Sequence, residues 1–287
     1  MPATINTNLN SLNAQRSLSS SQASLSTSMA RLSSGLRVNS AKDDAAGLAI
    51  AERMSAQVRG MNVAIRNAND GISYAQVAEG ALSKVSDSLQ RMRELAIQSR
   101  NVTNTAKDQG SLQNEFGQLQ SEMTRVLDGT TFNGSTIFNQ TGALDFQVGA
   151  GTSTNDRVTI TQAAPLNADA TLTVVTAAAA VIGDTTGAVL TAGTAIDAVI
   201  NSIDTALDTI NQQRSIWGST QNRFDAVVSS LQVSVENQSA ARSRIMDADF
   251  AAETAAMSRA NILQQAGNAM VAQANQLPQQ VLALLRQ

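Results

Sequence analysis

The side chains best suited to chemistry in this 287-residue chain are few, and their spacing argues against catalysis. Lys42, Asp43 and Asp44 are consecutive and could be imagined as an acid–base cluster. Adjacent residues on a helix or turn do not face one another, and no third group converges on them. Residues 150–190 could supply an enzyme of Ser and carboxylate chemistry, but their charged side chains are scattered: Asp156, Arg157, Asp169 and Asp184. We therefore expect Asp43 and Asp44 to cap a helix or lie in a solvated loop, and we expect no enzymatic activity.

The composition excludes most other site chemistry. The chain contains neither Cys nor His, which removes disulfides, thiolate nucleophiles, imidazole bases and the usual zinc ligands. A formal net charge of −3 argues against a basic surface for nucleic acid or anionic lipid. No segment reaches about 18 uninterrupted apolar residues, and no cleavable secretory signal is visible. We expect no cofactor, no metal, no nucleic acid and no membrane insertion.

The elements that remain are narrow apolar stripes with a helical repeat. No proline interrupts the chain between Pro2 and Pro165, which permits very long helices. The first stripe ends near Gly35, a helix stop signal, and a longer helix is expected from about Leu48. The stripes at the two ends of the chain have leucines or methionine largely seven residues apart, the coiled-coil interval: Leu9, Leu18, Leu25 and Leu32, then Leu263, Met270, Leu277 and Leu284.

A second set of stripes lies between these ends. Three- and four-residue spacing over residues 75–99 and 112–126 predicts two helices that fold back on each other, and a strict seven-residue repeat follows after residue 196. We expect these stripes to form one buried seam, made by Leu82, Leu89, Leu112, Phe116, Ile203, Ile210, Trp217, Phe224 and Leu231.

Between the helical regions the apolar period drops to two. Leu144, Phe146 and Val148 alternate with polar residues, and Val158 and Ile160 do the same, which predicts short hairpin strands. Residues 161–195 are rich in Ala, Thr, Val and Gly, and we expect a β-rich or irregular surface insert. The predicted fold class is mainly α: a long antiparallel helical coiled-coil bundle built from both termini, with a small β-hairpin region and a short variable insert.

The terminal helices are poor candidates for independent folding. Residues 5–36 and 250–285 are rich in Ser, Gln, Asn and Ala, and each has one narrow apolar stripe. Ordering a residue costs about 1–2 kcal/mol of backbone entropy, whereas a buried Leu returns about 1.5–3 kcal/mol. We therefore expect these ends to be largely disordered alone and to fold when neighbouring copies cover the stripe.

Both ends of the sequence resemble bacterial flagellin. At the amino-terminal end the resemblance is carried by ARLSSGLRVNSAKDDAAGLAIAERM (30–54), NANDGISYAQVAEGAL (67–82) and LQRMRELAIQS (89–99). At the carboxy-terminal end it is carried by QNRFDAVVSSL (221–231), ARSRIMDADFAAE (241–253), NILQQAG (261–267) and QANQLPQQVLALL (273–285). The middle of the chain carries no usable resemblance.

This resemblance implies a domain plan and a life cycle. It implies an inner-core coiled coil from residues 1–44 and 246–287, an outer-core helical bundle with β-hairpins from 45–160 and 196–245, and a variable surface-exposed region over 161–195. It further implies a secreted, extracellular subunit that forms a helical homopolymer, the flagellar filament used for swimming. The implied partners are a flagellin export chaperone, the filament cap, hook-associated proteins and the type III export channel.

Two host recognition sites are implied by the same resemblance. LQRMRELAIQ resembles the helix bound by Toll-like receptor 5, and the matching positions are Arg91, Leu95 and Glu115. Residues 30–51 resemble the segment sensed by the plant flagellin receptor, with matches at Lys42, Asp43, Asp44, Gly47 and Leu48. One related alternative remains, the hook–filament junction protein, which has similar terminal helices and would be expected to stop after a short ring.

Overall fold

The computed structural model describes residues 7–162, 165–177, 180–183 and 193–284 of the chain. The helices are α1 (Leu9–Ser34), α2 (Ala45–Ser99), α3 (Ala106–Gly129), α4 (Ala170–Thr176), α5 (Gly193–Met246) and α6 (Phe250–Leu284). The strands are β1 (Thr131–Phe132), β2 (Ser135–Thr136), β3 (Gly142–Gln147) and β4 (Arg157–Gln162). The predicted mainly α class with a small β region is confirmed.

Local signals in the sequence set the helix ends. Gly35 closes α1 in the left-handed conformation at φ 71°, and its N–H donates to the Arg31 carbonyl at 2.8 Å. α2 begins at Ala45, before the expected Leu48, because the Asp44 carboxylate accepts the Gly47 N–H at 2.8 Å and caps the first turn. Thr105 and Asp108 form a reciprocal capping box that starts α3.

The chain divides into two compact units, which we call the terminal unit (residues 1–58 and 236–287) and the central unit (59–235). In the terminal unit α1 and α6 run antiparallel: Asn8 Nδ2 donates to the Ala274 carbonyl at 2.7 Å, and Arg31 pairs with Glu253 at 2.9 Å. The inner- and outer-core boundaries implied by the resemblance, at 44/45 and 245/246, stay a prediction.

The central unit contains the large buried side chains. Its parts of α2 and α5 run antiparallel, since the ring of Tyr74 lies 5.7 Å from that of Trp217 whereas Arg93 pairs with Asp204 at 2.7 Å. The structure places most of the predicted seam in this core: Leu82, Leu89, Phe116, Ile203, Ile210, Trp217 and Phe224 are buried, and Leu112 and Leu231 are half-buried.

Two antiparallel hairpins complete the central unit, and the two-residue period predicted the second of them, β3 with β4. β1 and β2 are joined by Asn133 and Gly134, both at positive φ (49° and 79°) as tight hairpin turns require. β3 pairs with β4 so that Leu144 lies opposite Ile160. Phe146 of β3 then packs edge-on against Phe224 of α5, with ring centroids 5.3 Å apart, and this contact attaches the hairpin to the helical core.

The prediction of a β-rich or irregular surface insert over residues 161–195 is wrong for residues 170–176, which form α4, whereas residues 161–162 belong to β4 and residues 180–183 are irregular. Asp169 caps α4, which buries Leu172 and Val175 in the central core. Polar side chains of α3 hold the chain that follows: Gln120 Nε2 donates to the Val175 carbonyl at 2.7 Å, and Gln113 Oε1 accepts the Ile182 N–H at 2.7 Å. Residues 178–179 and 184–192 lie outside the described residues.

Two glycines of α2 offer a matched test of the helix packing. A Cβ added at Gly71 would lie 2.7 Å from Phe224 Cζ, whereas one added at Gly80 would meet nothing within 4 Å. We expect Gly71→Ala to destabilise the central unit by about 1–3 kcal/mol through overpacking. Gly80→Ala should instead stabilise it by up to about 1 kcal/mol through helix propensity. Urea denaturation followed by Trp217 fluorescence measures both, and equal effects of the two variants would contradict the close approach of α2 to α5.

Candidate assembly surface

The contact between α1 and α6 is made largely by small side chains. On α6 the residues that face α1 recur every seven positions as Ala260, Gly267 and Ala274, and the two alanines are buried. On α1 half-buried leucines recur at the same interval, as Leu18, Leu25 and Leu32. A Cβ added at Gly267 would lie 3.2 Å from Leu18 Cδ1. The two helices therefore approach closely while burying little apolar surface.

Polar groups supply much of the remaining contact. Ser11 Oγ donates to Asn275 Oδ1 at 2.8 Å near one end of the helix pair. Near the other end Arg31 and Glu253 form an ion pair whose side chains are only 31% and 13% exposed. These contacts fix the register of α1 on α6, but exposed or partly exposed polar pairs add only modest stability.

Both helices expose large apolar side chains. Seven such side chains of α1 and α6 are between 51% and 69% exposed: Leu9, Leu12, Met29, Phe250, Ile262, Leu263 and Met270. Leu18, Leu263 and Met270 line one groove between the helices. Apolar exposure on this scale is typical of a surface that binds another protein.

The predicted end stripes differ in exposure. Leu18, Leu25 and Leu32 are half-buried, whereas Leu9, Leu263 and Met270 are more than half exposed. The side chains of Leu277 and Leu284 are outside the described residues. On α6 the leucine–methionine repeat is therefore open to a partner, and it lines the same groove as Gly267 and Ala274 of the alanine–glycine repeat.

The loop between α1 and α2 is held by hydrogen bonds to Asp43. Asp43 Oδ2 accepts from the Ser40 hydroxyl at 3.0 Å and from the backbone N–H groups of Ser40 at 2.9 Å and Asn39 at 3.1 Å. These hydrogen bonds lower the pKa of Asp43 from its usual value, and the bond from the Ser40 hydroxyl has the largest effect. Asp44 therefore caps α2 and Asp43 lies in an exposed loop, which are the two roles that the sequence predicted.

The other residues of the predicted plant receptor segment differ in exposure. Lys42 is exposed, Gly47 is buried, and Leu48 packs partly against a small cluster of Val38, Ala51 and Met246. The segment is joined to the start of the α5–α6 connection, since the Arg37 N–H donates to the Met246 carbonyl at 2.7 Å. Recognition of this segment by the plant receptor stays a prediction.

We expect Asp43→Asn to remove one acid-sensitive contribution to the stability of the terminal unit. Because the folded-state pKa of Asp43 is lowered, its carboxylate stabilises the fold above the usual carboxyl pKa and loses this effect as the pH falls through the lowered value. The variant should be less stable than the parent at pH 7 and should match it in strong acid. Hydrogen exchange of residues 36–44 across this range measures the difference, and an equal gap at both pH values would contradict it.

The three residues predicted to contact Toll-like receptor 5 do not share one surface. Arg91 Nε donates to Glu115 Oε1 at 2.8 Å and Arg91 Nη1 donates to Glu94 Oε2 at 3.0 Å, all on exposed side chains. The hydrogen bonds that Arg91 donates to Glu115 and Glu94 raise its pKa, and the bond to Glu115 has the larger effect. Leu95 is 0% exposed and lies in the central core. Its assignment as a receptor contact is therefore wrong for the folded unit, because its side chain is packed inside.

The described ranges offer no alternative site chemistry. No group of three or more Asp or Glu side chains within them is placed to hold a metal ion. No helix in that part of the chain is both long enough and apolar enough to cross a membrane.

Comparison with known proteins matches one family over most of the chain. The family models described as the bacterial flagellin N-terminal and C-terminal helical regions match residues 5–143 and 200–285. The flagellin of Halalkalibacterium halodurans is 44% identical over 283 residues, which cover 98% of this chain and 99% of that protein. The flagellin of Bacillus subtilis is 40% identical over 306 residues, with the same two coverages.

One solved structure resembles the chain in fold alone. It comes from Vibrio parahaemolyticus and is provisionally named a flagellar hook-associated protein. It is 13% identical, covers 71% of this chain and 100% of its own, and has a TM-score of 0.56.

Proposed function

This chain belongs to the bacterial flagellin family of flagellar filament subunits, which are structural proteins and not enzymes, and we propose that its terminal helices complete their folding only on assembly. The observation that carries the proposal is the set of seven exposed apolar side chains on α1 and α6. A neighbouring copy that covers them would add the burial that the terminal unit lacks.

The burial inside the terminal unit supports this coupling. Among its described residues only five apolar side chains are buried, and three of them are alanines: Val38, Ala51, Met246, Ala260 and Ala274. Full burial of a Leu, Ile or Phe contributes about 1.5–3 kcal/mol, and a neighbour that covers the exposed part of each side chain would add a corresponding share. Because backbone ordering costs about 1–2 kcal/mol per residue, the subunit contacts would decide whether both helices form.

The wider life cycle follows as part of the same proposal. The subunit leaves the cell through the type III export channel, meets the filament cap and hook-associated proteins, and joins an extracellular filament. Before export, a chaperone shields the exposed face of α6 that contains Leu263 and Met270, since this face would otherwise promote premature association. Recognition by Toll-like receptor 5 would use the exposed Arg91–Glu115 pair.

The hook–filament junction protein is the second candidate. The Vibrio parahaemolyticus structure shares the fold alone, and the identity of 40–44% over nearly the full length is to flagellins. The two functions differ in product, because a junction protein would stop at a short ring.

Seeded growth of the purified full-length chain tests the proposal. We expect long filaments by electron microscopy, whereas rings or persistent monomers beside competent seeds would contradict it.

Ile262→Asp, at a side chain that is 66% exposed, should raise the critical subunit concentration at least about tenfold, because assembly would bury an unpaired carboxylate. Thr103→Asp, at an exposed position outside α1 and α6, is the matched control and should grow normally.

A further inference from the structure

The eight methionines that the structure describes fall into three groups by exposure, and the middle group is the half-buried Met54 and Met257. Met61, Met92, Met123 and Met246 are buried, at 7% exposure or less. Met29 and Met270 are 55% and 59% exposed. Thioether oxidation by dissolved oxidants depends on access to the sulfur, so these two side chains should react well before the four buried ones.

Both exposed methionines belong to the seven exposed apolar side chains of α1 and α6, which we call the candidate assembly surface. Met29 is on α1, and Met270 is on α6, where it lines the groove together with Leu18 and Leu263. Both side chains are more than half exposed, whereas Ala260, Gly267 and Ala274 of α6 are buried or half-buried. A chemical change at either sulfur would therefore alter the surface offered to a neighbouring copy and leave the fold of each unit in place.

We propose that Met29 and Met270 are oxidation sites that determine whether a free subunit can join a filament. This inference rests on the proposed assembly of α1 and α6 with neighbouring copies. It adds a regulation of that surface by peroxides: a subunit oxidised before assembly is excluded, and a subunit already in the filament is protected because its neighbours cover both sulfurs.

The reaction balances with hydrogen peroxide as the oxidant. A lone pair of the thioether sulfur attacks one peroxide oxygen, the O–O bond breaks, and the sulfur gains an oxygen as the sulfoxide. The peroxide is reduced by two electrons and leaves as water once protons have been redistributed. The product side chain is polar and carries a strong hydrogen-bond acceptor in place of a polarizable apolar group.

A sulfoxide at these positions should weaken subunit addition. Assembly would bury its oxygen in an apolar contact without a designed donor, and unsatisfied buried polar groups are costly. We expect the critical concentration for filament growth to rise at least about tenfold, equivalent to about 1.4 kcal/mol in the free energy of addition.

The experiment treats full-length subunits with hydrogen peroxide, removes it, and measures the critical concentration on untreated seeds. Peptide mass spectrometry locates the sulfoxides in free subunits and in filaments exposed to the same dose. The matched variants are Met29→Leu with Met270→Leu, which keep an apolar side chain of similar volume, and Met61→Leu, which alters a buried methionine instead. Methionine sulfoxide reductase supplies a reversal step.

We expect oxidised parent subunits and oxidised Met61→Leu subunits to lose growth, the reductase to restore it, and the double Leu variant to grow after treatment. Mass spectrometry should find Met29 and Met270 oxidised first in subunits and spared in filaments. Equal loss in the double Leu variant, unimpaired growth of fully oxidised parent subunits, or equal oxidation of both residues in filaments would overturn the inference. Failure of untreated parent subunits to extend competent seeds would instead overturn the proposed function.

Discussion

Trp217→Ala should lower the unfolding free energy of the central unit by about 3–5 kcal/mol, the usual cost of deleting a buried indole. Trp217 is 1% exposed and lies on the α5 face that meets α2. Its ring is 5.7 Å from that of Tyr74, which in turn contacts Phe132 and Phe146 of the two hairpins at 5.4 and 5.8 Å. The cavity would therefore open where helices and strands meet, a place with little freedom to collapse.

The indole nitrogen makes Trp217→Phe an informative control. Trp217 Nε1 and the Tyr74 hydroxyl are buried and have no hydrogen-bond partner among the described residues. Replacing Trp by Phe loses some contact area but also removes one unsatisfied donor, so this variant should be much less damaging than Ala. Hydrogen exchange of the core helices in urea measures both without needing tryptophan fluorescence. Equal stabilities of the Ala and Phe variants would show that this aromatic cluster is not central to the core.

A comparison of the seven-residue repeats in α5 and α6 shows what the sequence could predict. In α5, residues seven positions apart are Ile203, Ile210, Trp217 and Phe224, all buried, because large side chains at one face of a long helix have to be covered. In α6 an equally regular repeat gives Leu263 and Met270, which are exposed. A repeat identifies an apolar face, but it does not tell whether the same chain or a neighbour covers that face.

The burial of Leu95 could have been predicted from helical spacing. Leu95 follows Met92 by three residues on a helix whose stripe includes Leu89, so helical spacing alone places it with the core. The resemblance to a receptor-binding segment pointed instead to the surface. The packing of Leu95 at 0% exposure follows from the helix geometry.

The insert could not have been predicted from its own residues. Thr and Val are weak helix formers, and α4 exists because Asp169 caps it and because Leu172 and Val175 find a core to enter. The hydrogen bonds that hold the following chain come from Gln113 and Gln120 of α3, tens of residues away. Such contacts leave no local pattern in the sequence.

Removing residues 1–30 or residues 255–287 should abolish filament growth and leave the central unit folded. Within the terminal unit α1 and α6 form each other's main contact, and either deletion also removes several of the exposed apolar side chains. The large buried core belongs to residues 59–235 and is retained in both deletions. The deletions should therefore abolish assembly without changing the stability of the central unit.

Seeded elongation and hydrogen exchange together measure this separation. Each deletion variant should extend full-length seeds undetectably at subunit concentrations well above the parental critical concentration. Protection of the central amides should stay at the parental level, which distinguishes a lost surface from a lost fold. Thr103→Asp is the control for handling and should both grow and keep its protection. Normal filaments from either deletion would show that the deleted helix and its exposed apolar side chains are not needed to join the subunits.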